Sequence, residues 1–123
     1  MKANELRIGN YVKIDLKGSL EIKDEPITVS QIMDLLYNGE KSSFHYNPIP
    51  LTEDWFRNFS FLSVNLREKN YNTIYFLDVN EFRIEVHINT MTVFVEEKEV
   101  DCEFVHQLQN LHFALSNKEL IKL

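Results

Sequence analysis

Apolar and polar positions alternate without a fault between residues 82 and 88, where Phe82, Ile84, Val86 and Ile88 are separated by Arg83, Glu85 and His87. That is the period of a strand with one buried face. Two-residue turns at Asn80-Glu81 and Asn89-Thr90 fold the surrounding segment into two hairpins. The register then sets Val79 opposite Phe82, Leu77 opposite Ile84 and Tyr75 opposite Val86. On the other side it sets Val86 opposite Val93 and Ile84 opposite Val95. Every inward pair is apolar, and the outward pairs Asp78–Arg83 and Arg83–Glu96 join opposite charges. Agreement of both faces fixes the register, because a slip of one residue would invert them all. Residues 61–67 add a fourth strand, with Leu62, Val64 and Leu66 predicted inward.

A different pattern follows. Residues 104–117, FVHQLQNLHFALSN, contain no Asp, Glu, Lys or Arg, in a chain that is 26% charged. A helix with one face in water normally carries charge there, so this one is predicted to be covered on more than one side. Phe104, Leu108, Leu111 and Leu115 form its apolar stripe, expected to dock on the inner face of the meander. Phe113 lies opposite that stripe. Asp101 and Glu103 suit the positive end of the helix dipole, and Asn117 suits a left-handed C-terminal cap. Residues 118–123 are expected to return as a short edge strand.

The N-terminal part is less regular. Tyr11–Leu16 reads as a strand entered through a Gly9-Asn10 turn. Residues 27–33 read as a second strand with Pro26 at its edge, and the charged residues 17–25 as the loop or hairpin tip between them. Asn38-Gly39 marks a turn. Prolines 48 and 50 hold their predecessors extended. Thr52 is then expected to cap a short helix, Glu53–Asn58, whose acids sit in its first turn. The fold class is therefore α+β: an antiparallel β-meander packed on one C-terminal helix, with a short helix near 53–58, and residues 1–123 as one domain. The N-terminal strands either close over the outer face of the meander as a sandwich or barrel, or leave that face open.

Composition narrows the function more than the fold. The formal charge is −6, from 19 acidic and 13 basic residues. Such a chain is poorly suited to neutralising phosphates and better suited to a basic protein surface. One cysteine, Cys102, precludes an internal disulfide and fits a reducing compartment. The first ten residues lack an apolar run of signal-peptide length, and no stretch approaches the ~18 apolar residues of a membrane span. The expected location is the cytoplasm.

Candidate chemistry is sparse. Cys102 and His106 stand four apart, the spacing of a metal pair or an activated thiol on one helix face. Two ligands do not make a zinc site, and a helix that starts after Cys102 would separate them. His106 and His112 diverge around the helix, and His45 and His87 lie far off in sequence. The glycines at 9, 18 and 39 are isolated, so no phosphate-cradling loop exists. Neither Ser42-Ser43 nor Ser60 sits in a nucleophile signature. No catalytic residue, metal or cofactor is expected. The outer face of the meander carries the sharper lead: Ile74, Phe76 and Phe94 point outward around Arg83, Glu85 and His87. Exposed apolar clusters on a sheet mark cover or contact. Glu96, Glu97, Glu99, Asp101 and Glu103 form an acidic run, read either as a solvated connection into the helix or as a secondary contact for a basic partner.

Three segments carry a resemblance: ELRIGNYV from Glu5 to Val12, YNPIPLTEDW from Tyr46 to Trp55, and VHQLQNLHFAL from Val105 to Leu115. In that order they are similar to a group of small phage and bacterial mobile-element proteins with no established activity. The group commonly has glycine where this chain has Ser60 and Asn117. The resemblance implies a context, that of accessory proteins which bind and disable a host factor. The expectation is a non-catalytic inhibitor of a host defence component, specifically an anti-CRISPR-like inhibitor of an RNA-guided nuclease or its RNA-bound complex. A homodimer is compatible with it. The alternative is a nucleic-acid or nucleotide-binding module using Lys13, Lys17 and Lys23 as a basic edge with aromatics for stacking.

Overall fold

A computed structural model of the chain describes residues 2–17, 22–66 and 72–122. The fold is α+β, with two antiparallel sheets of three and five strands, neither of them closed. The chain divides into two compact units, Met1–Pro50 with Phe104–His106, and Leu51–Glu103 with Gln107–Leu123.

The first unit holds strands β1, Tyr11–Leu16, β2, Ile22–Pro26, and β3, Phe44–Asn47, in the order β2-β1-β3. Its helix α1 spans Val29–Tyr37. Here the sequence reading is corrected twice. Residues 27–33 are not a strand, and part of the charged stretch 17–25 is one. The deciding signal is Thr28-Val-Ser-Gln31, a capping box. The Thr28 hydroxyl accepts from the Gln31 backbone N–H, and the Gln31 carboxamide accepts from the Thr28 backbone N–H. These reciprocal bonds satisfy amides that a helix start otherwise leaves orphaned. Val12, Ile14, Ile27 and Tyr46 form the core of this unit with Leu6, and Ile32 and Leu35 of α1 pack against it. The tip at residues 18–21 lies outside the described residues.

The second unit is the meander. Strands β4, Leu62–Leu66, β5, Asn72–Val79, β6, Phe82–His87, β7, Thr92–Val95, and β8, Lys98–Val100, pair in chain order. Val79 faces Phe82 across the Asn80-Glu81 turn, Tyr75 faces Val86 and Val86 faces Val93, as alternation dictates. The β6–β7 ladder ends at His87–Thr92, in the expected register, and residues 88–91 make the connection. There Met91, at φ +50°, closes a turn onto the Ile88 carbonyl. Ile84, Val86 and Val93 are fully buried, whereas Phe82, beside the turn, is exposed.

Helix α2, Glu53–Asn58, has the expected bounds, but the Thr52 hydroxyl makes no capping bond. Phe56 lies 5.4 Å from Phe61 and 5.8 Å from Tyr75, ring centre to ring centre. The Tyr75 hydroxyl donates to Glu53 at 2.9 Å and accepts from Arg57 at 3.2 Å. These aromatics make Phe61 the inward residue and reverse the expected parity of β4. Leu62 is 62% exposed and Val64 is 45% exposed. The Leu66 side chain and Arg67 lie outside the described residues.

The charge-free run forms helix α3, Val105–Ser116. It is largely covered, as its composition requires, and Ala114 is its one exposed residue. The buried stripe differs from the expected one. Val105, His106, Leu108 and Gln109 are buried, while Leu111 and Leu115 are half-buried. Asn117 takes φ +58°, so the left-handed cap is real, and Ser60 also sits at φ +65°. Residues 118–122 form no strand, although Leu120 is buried.

Candidate protein-binding face

Strand alternation and register bring Ile74, Phe76, Arg83, Glu85, His87 and Phe94 onto one face of the five-stranded sheet. One cross-strand row runs Val64, Ile74, His87, Thr92, and the next runs Leu62, Phe76, Glu85, Phe94, Glu99. The six residues picked from sequence are thus neighbours. Leu62 and Val64 join them, missed because Leu62, Val64 and Leu66 fit an inward strand equally well by periodicity. The tertiary contact of Phe61 with Phe56 decides between the two parities, and no local pattern reports it.

The face is graded from apolar to polar. Leu62, Val64, Ile74 and Phe76 occupy the β4–β5 side. The Arg83 guanidinium lies 4.7 Å above the Phe76 ring and donates to Asp78 at 2.7 Å. That bond holds the Asp78 carboxyl below its usual range and raises Arg83. The His87 ring lies 4.9 Å from Phe94, and its Nε2 is 3.8 Å from a Glu85 carboxylate oxygen. Aromatics held by polar neighbours at fixed geometry are the makings of directional contacts.

Beside this face the acidic run is part turn and part strand before it leads into the helix. Glu96 and Glu97 form a tight turn between β7 and β8, at φ +49° and +70°. Left-handed backbone is costly for non-glycine residues, and Asn-Gly is the favoured pair in such hairpins. One compensation is visible, since a Glu96 carboxylate oxygen accepts from the Arg83 backbone N–H at 2.7 Å. Arg83 therefore meets Glu96 through its backbone, and its side chain belongs to Asp78. Asp78, Glu81, Glu85, Glu96 and Glu97 surround Arg83 in a cleft of about 360 Å³. Glu99, Asp101 and Glu103 follow, all exposed.

Helix α3 begins after Cys102, so the shared helix face with His106 does not exist. Cys102 is buried, and burial pushes its thiol up to about 12. A buried thiol held neutral is a poor nucleophile at ordinary pH. Among the described residues no three His, Cys, Asp or Glu side chains group as a metal site. His112 Nδ1 is 2.9 Å from the Lys118 carbonyl oxygen, a helix-end contact.

In the first unit, Asp34 accepts from Ser42, from Tyr46 at 2.6 Å and from Asn38 at 2.7 Å. Those bonds lower its pKa, while burial and Asp34 raise the Tyr46 phenol to about 12. Nearby, Lys2, Lys17, Phe44, His45 and Tyr46 line an open cleft of about 590 Å³. Lys17 contributes to it, although its ammonium already donates to the Glu40 carbonyl at 2.5 Å. The Lys23 side chain lies outside the described residues. No helix among the described residues is long and apolar enough to cross a membrane.

No family model matches the chain, and neither a curated protein nor a solved structure matches it.

Proposed function

We propose that this chain is a non-catalytic binding protein that uses the outer face of its five-stranded sheet to hold a basic protein surface in the cytoplasm. The specific candidate is a host RNA-guided nuclease, bound and inhibited with or without its RNA. The observation that carries the reading is the continuous surface from exposed Leu62 and Val64 through Phe76 and Phe94 to the acidic cleft around Arg83. An apolar, aromatic centre with a charged margin is how binding surfaces distribute affinity and selectivity. The strained Glu96-Glu97 turn adds weight. Charge is kept where glycine would be easier, and strain retained in a fold points to use. The nuclease itself is drawn from the resemblance to mobile-element accessory proteins.

Affinity capture from bacterial lysate tests this with the parent chain and a Phe76→Ala/Phe94→Ala variant. A nuclease retained by the parent, lost by the variant and slowed in a cleavage assay supports the proposal. The open cleft of the first unit, with Lys2, Lys17 and His45 around Phe44, favours a second reading, a nucleotide or nucleic-acid binder. RNA or nucleotide eluting with the parent, with no protein, would select it over the first.

A further inference from the structure

Strand β4 is an edge of the five-stranded sheet, and among the described residues nothing pairs with its outer side. Edge strands are ordinarily protected by charge, proline or shortness. The others here follow that rule. Strand β8 has three residues, two of them charged, and β2 carries Lys23, Asp24, Glu25 and Pro26. Strand β3 has four residues and runs into Pro48. Strand β4 is Leu62-Ser-Val-Asn-Leu66, five residues with no charge and no proline.

The backbone groups left open can be assigned. The Ile88 N–H donates to the Thr73 carbonyl at 3.1 Å, so Thr73 turns its peptide groups toward the β6 side. By strand alternation Ile74 turns toward its β4 partner Val64, and Leu62 and Val64 spend their groups on β5. Ser63 and Asn65 are left facing outward with theirs.

We infer that β4 is a self-association edge, and that a second copy of this chain pairs with it antiparallel about a two-fold axis at Val64. The sequence is self-complementary in that arrangement. Ser63 meets Asn65 of the second copy, so the outward groups exchange both hydrogen bonds, and the symmetry-related pair does the same. Val64 meets Val64 in a non-hydrogen-bonded pair, with Cα atoms about 4.5 Å apart. Position 62 meets position 66. A chain of charge −6 repels its copy over most of its surface, and this neutral strand is where the repulsion is least. The operation is the isologous two-fold commonest among homo-oligomers. Two such short strands bury less than the ~1,000 Å² of a stable interface. The dimer should therefore be weak and exchange rapidly. The inference stands apart from the identity of any other partner.

Sedimentation velocity of the full chain from about 5 µM to about 1 mM reads the equilibrium across that range. The expected result is a monomer–dimer exchange that Val64→Lys abolishes by opposing two charges on the axis. Ser63→Pro should abolish it too, by removing an outward donor that β5 does not use. Melting curves establish that each variant is folded. If neither folds, a cysteine pair decides. Under mild oxidation Val64→Cys should cross-link, since the axial Cα separation suits a disulfide. Leu62→Cys should not, because its copy lies about 13 Å away along the strands. Buried Cys102 leaves the background clean. A monomer at every concentration, a dimer that survives Val64→Lys, or cross-linking by Leu62→Cys in preference to Val64→Cys would each overturn the inference.

Discussion

His106 shows how one side chain can set a measurable property. It is 3% exposed, its ring stacks on Phe104 at 5.9 Å, and among the described residues nothing hydrogen-bonds its Nδ1. Burial lowers its pKa from 6.5, with the charge of Glu5 pulling the other way. The unfolded chain therefore takes up a proton below about pH 6.5 that the folded chain resists, and stability falls as pH drops through that window. A buried polar atom without a partner also costs stability when neutral. His106→Leu is expected to be neutral or mildly stabilising at pH 7 and to flatten the decline toward pH 5. Urea midpoints at several pH values measure both effects, and an unchanged pH slope would show that His106 does not cause it. The sequence marked the helix as covered, yet nothing in it said that this histidine, rather than Leu111, would be buried. Tertiary packing decides such a rotation.

At the scale of elements, legibility followed the strength of local patterning. The β5–β6–β7 register was readable because two faces had to agree. Helix α2 was readable from its acids after an extended proline segment, and the left-handed Asn117 from helix-end chemistry. Helix α1 was lost because Ile27, Val29 and Ile32 look like strand residues when the capping box is overlooked. Strand β8, short and charged, carries almost no periodic signal. The parity of β4 is fixed by Phe61 meeting Phe56, a contact that periodicity cannot see. So the centre of the candidate face was legible, and its apolar edge and the Glu96-Glu97 turn were not. The rotation of α3 yields a prediction. Leu108 is 0% exposed, so Leu108→Ala should cost about 2–5 kcal/mol, as large-to-small core substitutions do. Half-buried Leu111→Ala should cost clearly less. Denaturant unfolding of the two variants checks this, and equal losses would restore the stripe expected from sequence.

For the whole molecule, a net charge of −6 and an exposed apolar strand beside an acidic cleft favour contact with a basic protein surface. The central claim is that the outer sheet face is the contact. Its most direct test is a binding isotherm for Phe94→Ala against the captured partner, measured beside a thermal melt of the same preparation. Phe94 is half-buried, its ring tilted against His87 at 4.9 Å, and it sits between Glu85 and Glu99 in its cross-strand row. The account predicts a loss of about 2 kcal/mol in binding, roughly 30-fold, as for an aromatic anchor. The melt should move by only a few degrees, corresponding to no more than about 1 kcal/mol. A larger fall in the melt, with affinity intact in the folded fraction, would contradict it. Phe94 would then serve the fold, and the contact would shift to the acidic residues from Glu96 to Glu103.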